Sequence, residues 1–395
     1  MSIKLKSSQS VNLPKMTHLL MSIPSTTNAQ WGAQSTFDIR EKNISLHEII
    51  IKLNISPITG LTGTAQPNFP NYNPSFFFFK RIEILINGKV FDNLFPDEQF
   101  LRNQLFERDE KRKYTNIISG DYSNDAQRYA LASNTSDYYI PIWSLFKQTH
   151  LNLVNTNTDV QIKIYWDSAV NNINVGTGLT GVPVSTINSS LLLIKCTKLS
   201  DDTIYSFKQS IRNLPLCNRY SAVITQNFTA NAGINSITCL LSAITGPISH
   251  IMFVVRDQTN LSGSNYYKFK AIKDYAIFDS ASTNIVGGVP INHAVAQLIL
   301  NKEYVVSSYC TENALTTTNN NANVYIYGFS GAVADIVTTG RALGYYNFQG
   351  NEQLTINFNA GAFGVLTSTY SIDVFAYVDS GVNQGYNSIE KITVY

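Results

Sequence analysis

The stretch from Ser75 to Arg112 constrains this chain more than any other. Four phenylalanines, residues 76–79, open it. Ile82, Ile84 and Ile86 then alternate with Arg81, Glu83 and Asn87. Period two is the mark of a strand with one buried face. Asn87-Gly88 follows and predicts a type I′ hairpin turn, because both central residues must take positive φ. Residues 89–92 then return as a short strand. Pro96, Asp97 and Glu98 read as the first turn of a helix, where proline costs no hydrogen bond and acids suit the positive helix end. Phe100, Leu101, Leu105 and Phe106 give that helix an apolar side. The order is strand, tight turn, strand, amphipathic helix.

The remainder has the same grain. Strands are expected at 36–40, 49–54, 138–146, 160–166 and 191–199. The pattern restarts with 220–228, 237–243, 248–256, 267–278, 324–327, 354–358 and 372–378. Between them lie polar or Pro/Gly-rich loops, at 55–74, 114–136, 171–188 and 316–323. Residues 200–218 read as a connector with a helical piece near 203–210. A further helix is expected over 291–300, after Pro290, as the first follows Pro96. Each half thus has many short strands, long loops and one clear helix. Alternating βα units are absent, which disfavours a parallel doubly wound sheet. The reading is all-β, with a sandwich or jelly roll in each half. At 395 residues the chain exceeds what one core usually serves. We divide it into an N-terminal arm at 1–35, a first roll at 36–212 and a second at 213–395.

Charge excludes more than it identifies. Charged residues are 14% of the chain and the net charge is +2, too near neutral to argue for a nucleic-acid binder. Asn, Ser and Thr carry the polarity instead, as in proteins that pack against copies of themselves. The arm reads as irregular. Its charges are Lys4, Lys6 and Lys15, and no acid precedes Asp38. Such an arm could touch anionic lipid or nucleic acid, or could be a few solvated lysines. Residues 19–23 are too short an apolar run for a signal-peptide core, so synthesis in the cytoplasm is expected.

No chemistry declares itself. His18, His47, His150, His250 and His293 contain no pair at i+2 or i+4, so no local zinc set is visible. His47 and His250 sit in strand runs and read as structural. Cys196, Cys217, Cys239 and Cys310 have no C-x-x-C spacing, and Cys196 and Cys239 read as buried free thiols. Nucleophile-elbow, phosphate-loop and H-E-x-x-H motifs are missing. The acidic pairs Asp97-Glu98 and Asp201-Asp202 could serve a glycosidase, but each also fits a helix start or loop. We therefore expect no enzyme, with no catalytic, cofactor or metal residue. The alternative reading is a secreted carbohydrate-binding or glycan-hydrolysing β-sandwich.

Taken as a series, the segments resemble the double jelly-roll major capsid proteins of tailless icosahedral viruses. Residues 79–92 with the helix after them are similar to that family's strand, Gly-containing turn and helix, although Asn87 stands where the family has a glycine. Residues 139–146 and 160–166 resemble its I-P-L-x-F-x-F segment and following strand. Residues 191–207 resemble the strand and acidic turn closing the first roll. Residues 247–256 resemble its P-V-K-E-L-x-W-V-x-R strand. Residues 324–329, 339–348 and Leu354 resemble its I-Y-x-Y-S-F series, and 372–377 its last long strand. The resemblance implies two eight-stranded antiparallel jelly rolls, each with one short inserted helix. It implies a homotrimeric, nearly hexagonal capsomer that meets neighbouring capsomers and minor capsid and vertex proteins in the virion shell. Such shells commonly enclose a membrane, which the Lys4, Lys6, Lys15 arm would face. The resemblance implies no sequence-specific nucleic-acid binding.

Overall fold

A computed structural model describes residues 17–63, 76, 78–106, 114, 117–120, 125–154, 158–168, 179–258, 269–270, 272–279, 281, 283, 285, 303–306, 324–329, 345–358, 366, 368–385 and 388–393. The first half contains β1 (Thr17–Pro24), β2 (Gln34–Ile39), β3 (Ile44–Ile55), β4 (Thr59–Thr62), β5 (Phe79–Ile86) and β6 (Lys89–Leu94). Helix α1 (Pro96–Phe106) and helix α2 (Asp125–Ala132) follow, then β7 (Ser136–Ile142), α3 (Leu145–Thr149), β8 (Leu151–Leu153), β9 (Val160–Trp166), β10 (Thr180–Val184) and β11 (Ile187–Lys198).

One sheet runs β1-β11-β3-β7, with β8 also on β3, and the facing sheet runs β2-β9-β5-β6. Strands β4 and β10 pair separately. With β4, β8 and β10 set aside, the eight others lie in the order first-eighth-third-sixth and second-seventh-fourth-fifth. That is the strand order of a jelly roll, in which two sheets close over one core. Alternation drives it. In β9 the residues Val160, Ile162, Ile164 and Trp166 are buried while Gln161, Lys163 and Tyr165 are half-buried. The expected turn forms at Asn87 (φ 51°) and Gly88 (φ 76°). Asn87 is pinned there twice, its N–H donating to the Asp159 carbonyl at 2.8 Å and its Oδ1 accepting from the Asp159 N–H at 2.8 Å.

Helix α4 (Asp201–Asn213), N-capped by Ser200, links the halves. The second half has β12 (Leu216–Ala230), β13 (Ser236–Leu240), β14 (Thr245–Asp257), β15 (Asp274–Phe278), β16 (Glu303–Val306), β17 (Val324–Gly328), β18 (Tyr346–Gln349), β19 (Gln353–Asn357), β20 (Tyr370–Gln384) and β21 (Ile389–Thr393). Its larger sheet runs β12-β20-β14-β17-β16, with β18 on β14 and β21 on β20, and its smaller one β13-β19-β15; with β16, β18 and β21 set aside, β12-β20-β14-β17 and β13-β19-β15 remain. These are the positions first-eighth-third-sixth and second-seventh-fourth of a second jelly roll. Seven of its eight strands thus lie among the described residues.

The structure departs from the sequence reading at several places, among them β4, which lies in the expected 55–74 loop. Residues 17–24, expected irregular, form β1, an edge strand paired with β11 from Thr17↔Lys198 to Pro24↔Leu191. Long-range pairing supplies order that the local pattern does not announce. Helix α2 lies in the expected 114–136 loop, where Ala126, Ala130 and Ala132 favour a helix. Strand β10 lies in the expected 171–188 loop. The strand expected over 138–146 stops at Ile142, and Leu145 and Phe146 belong to α3. Among the described residues the first half thus carries at least three helices where one was expected. The helix expected over 291–300 lies outside the described residues.

Ile162 is fully buried between the sheets of the first roll. Replacing it with alanine is expected to cost about 2–5 kcal/mol. Lys163→Ala, one step along β9, is expected to stay within about 0.5 kcal/mol. Urea midpoints check the pair, and equal costs would contradict the facing of β9.

Candidate functional site

The feature that most distinguishes this molecule is the seam between its two rolls. Strands β14, β17 and β20 are apolar on both faces. Ile251, Phe253, Val255, Tyr325, Tyr327, Ile372, Val374 and Ala376 point into the core of the second roll. Met252, Val254, Val324, Ile326, Phe375 and Tyr377 belong instead to the core that contains the first roll. This explains why the second half reads there as continuous apolar runs where alternation is usual for an antiparallel sheet.

Against this second face lies α1, and α1 is buried and polar. Glu98, Gln99, Arg102 and Asn103 are at most 5% exposed. Glu98 and Arg102 form an ion pair one helical turn apart. Arg102 donates through Nη2 to the Ser221 carbonyl at 3.2 Å. Its guanidinium lies 4.7 Å from the centroid of the Tyr377 ring, on which His250 stacks at 4.0 Å. Gln99 holds Trp143 at both backbone groups. Its Oε1 accepts from the Trp143 N–H at 2.7 Å and its Nε2 donates to the Trp143 carbonyl at 3.2 Å. Asp97, at the helix start, pairs with Arg256 at 3.1 Å, and Arg256 also reaches Asp373 at 3.4 Å.

A β-bulge adds a second set of bonds. Ile84 pairs with Asp92 and Leu85 with Val90, so Phe91 is skipped. A bulged residue leaves the ladder and its polar groups turn elsewhere. The Phe91 carbonyl accepts from the Tyr220 hydroxyl at 2.6 Å and from Lys391 Nζ at 2.8 Å, both of the second roll. Gln148 Oε1 accepts from the Ser221 N–H at 2.9 Å, and Gln384 Nε2 donates to the Asn152 carbonyl at 3.0 Å.

Burial sets the titration of the seam. Desolvation pushes Asp92 up to about 7, with Glu98 adding and Arg102 and Lys391 opposing. Burial likewise raises Glu98, against the pull of Arg102. Asp373 is raised to about 6 by burial, with Arg256 opposing. Burial, aided by Arg102, holds His250 down at about 3, so it is neutral near pH 7.

The acids that sequence offered to a glycosidase are otherwise engaged. Asp97 and Glu98 are tied to arginines, and Asp201 and Asp202 are exposed in the first turn of α4. His250 is the structural residue expected. Cys196 and Cys239 are buried free thiols, and Cys217 is exposed. Lys4, Lys6, Lys15, His293 and Cys310 lie outside the described residues. Among the described residues no helix is long and apolar enough to cross a membrane. Sequence reasoning missed the seam. Its available signal was Glu98 and Arg102, four apart on one helix, followed much later by β14 without alternation.

Two outcomes follow for the seam. Arg102→Met leaves Glu98 buried without its cation and is expected to cost about 3–5 kcal/mol. Glu98→Met with Arg102→Met is expected to recover at least half of that loss in urea midpoints. For Asp92, the unfolded carboxyl ionises near its ordinary value while the folded one keeps its proton to about 7. Its favourable contribution is therefore complete at acid pH and lost as pH rises through about 4 to 7. Asp92→Asn should gain on the wild type by at least about 1 kcal/mol from pH 4.5 to pH 8. A difference independent of pH would refute this.

No sequence-family profile matches this chain, and no curated protein does. Solved structures do. The capsid of the virus PBCV-1 aligns with TM-score 0.65 at 14% identity, over 98% of this chain and 100% of that one. The Faustovirus major capsid protein aligns with TM-score 0.64 at 10% identity, over 100% and 93%. The mavirus major capsid protein aligns with TM-score 0.55 at 12% identity, over 99% and 93%. Two jelly-roll strand orders in tandem, joined face to face and matched end to end with these shells, give this chain the double jelly-roll fold of viral major capsid proteins.

Proposed function

We propose that this chain is the major capsid protein of an icosahedral virus. Three copies form a capsomer with a pseudo-hexagonal outline, and capsomers tile the shell over an internal membrane. The single observation that carries the reading is the end-to-end structural match to capsid proteins at nearly full coverage of both partners. Physical arguments support it. Two similar rolls fixed side by side make each chain two corners of a hexagon, so three chains supply six. Tiling needs those corners held at one angle, and the seam locks them with apolar packing and hydrogen bonds from several elements. Low charge and abundant amides suit broad subunit contacts, where charged residues are depleted.

We keep the division between rolls at 212/213, while the arm expected over 1–35 is confined to the residues before β1, since Thr17–Pro24 is the first strand of the first roll. Lys4, Lys6 and Lys15 are assigned to the inner side, facing anionic lipid. Minor capsid and vertex proteins would meet the capsomer at its sides and at the fivefold positions. The protein acts as a scaffold with no reaction of its own, made in host cytoplasm and carried in the virion.

Native mass of the purified protein tests the trimer. Three chains of 44.0 kDa are expected in one particle, with hexagonal outlines in negative stain. A protein that stays monomeric at high concentration would sink the reading. Replacing Lys4, Lys6 and Lys15 with serine should weaken binding to phosphatidylserine vesicles by about 3 kcal/mol in total, about 1 per lysine. Unchanged vesicle binding would remove the membrane assignment alone.

A further inference from the structure

Three histidines that are far apart in sequence meet at one corner of the first roll. His18 lies on β1, His47 on β3, and His150 directly after α3. His47 Nδ1 contacts His150 Nδ1. His47 Nε2 lies 2.7 Å from Thr197 Oγ1 on β11, and Thr197 Oγ1 lies 3.1 Å from His18 Nδ1. Two backbone irregularities build this meeting. Lys195 pairs with Glu48 and Cys196 with Leu46, so His47 is the extra residue of a β-bulge. His150 sits in the left-handed region at φ 51° and ψ 73°, capping α3 through its N–H to the Phe146 carbonyl. That region is uncommon for a residue with a side chain, though histidine enters it more readily than most.

We propose that His18, Thr197, His47 and His150 form a proton-gated latch that fastens the start of β1 to the roll and releases it on acidification.

The hydrogen-bond arithmetic is restrictive. With all three rings neutral, donation running one way along the chain satisfies every contact. His18 Nδ1–H donates to Thr197, the Thr197 hydroxyl donates to His47 Nε2, and His47 Nδ1–H donates to His150 Nδ1. The reverse direction works equally well. When His47 and His150 are both protonated, two N–H groups face each other and the contact cannot form. A protonated His47 has donors on both nitrogens, so its Nε2–H donates to Thr197, whose oxygen can accept from His18 as well. Further protons also crowd like charges, since the His47 ring centroid lies 4.5 Å from that of His150 and 6.3 Å from that of His18, and their repulsion pushes β1 and the end of α3 away from β3.

The surroundings offer little compensation. Strand β11 contributes Lys195 and Lys198, both cationic. Strand β3 contributes Glu48, which sits 4.0 Å from Lys195. The charged residue of α3 is Lys147, lying over the Trp143 ring, and β8 carries none. Burial, with His150, His18 and Lys195 adding, lowers the proton affinity of His47. The folded state therefore takes up fewer protons than the unfolded one below the ordinary histidine range. The stability it supplies is present above that range and lost as pH falls. Among the described residues no group of three or more His, Cys, Asp or Glu has the geometry of a metal site. The inference does not depend on the capsid role.

Hydrogen exchange on the intact protein tests it, at pH 7.5 and pH 5.0 with times corrected for the intrinsic rate. Peptides covering 17–22 and 147–153 should exchange about fivefold faster at pH 5.0, while β9 is unchanged. His150→Asn, which tolerates the left-handed backbone, should exchange at the fast rate at both pH values. Thr197→Val should do the same for the β1 peptide. Equal protection of the wild-type peptides at both pH values would overturn the latch. So would a pH response that survives in His150→Asn. Protection at pH 7.5 that rises with ZnCl2 and falls with EDTA would also overturn it, by making the cluster a cation site.

Discussion

A sheet with two dry faces governs this structure. Strands β14, β17 and β20 bury one side in their own roll and the other against the first. An antiparallel sheet usually leaves one face to water, and exposing a contiguous apolar patch of this extent is unfavourable for a lone domain. The second roll is therefore complete only when docked. The two rolls share apolar surface as the layers of a single domain do, and their relative orientation is set by packing density and not by a linker.

Apolar contact alone would leave that orientation poorly defined, since hydrophobic burial is not directional. The polar groups of α1 supply direction. Glu98, Arg102, Tyr377 and the Ser221 carbonyl fit in one arrangement, and sliding the rolls would bury charges without partners. Such an inclusion is costly to form, and we read it as a specificity device. The bulge at Phe91 works in the same sense. It spoils one rung of a hairpin and in return offers a carbonyl that two side chains of the other roll can find.

Much of the fold was legible in the sequence, for physical reasons that also mark the limits. Period two identified β5 and β9 because each has one wet face. Asn87-Gly88 identified its turn because few residue pairs accept positive φ twice. Strand β1 was invisible because its order comes from β11, far along the chain. Sequence offered Glu98 only as an acid suited to a helix start and did not single out Arg102, because local sequence cannot tell water from a second domain. The histidine corner was missed for a related reason. A search for ligand spacing sees neighbours in sequence, whereas His18, His47 and His150 are brought together by strand order, a bulge and one left-handed residue.

The bond from Lys391 to the Phe91 carbonyl spans 300 residues. During synthesis the first roll emerges complete, with α1 and the bulge already made, yet their partners do not yet exist. At a ribosomal pace of about 5–20 residues per second the wait lasts on the order of tens of seconds. For that interval the nascent first roll presents a half-built polar socket and an apolar rim, which is the surface a chaperone would hold. The finished seam thus acts as a timer on assembly competence, because a chain becomes a rigid two-roll unit only after its second roll has closed on the first.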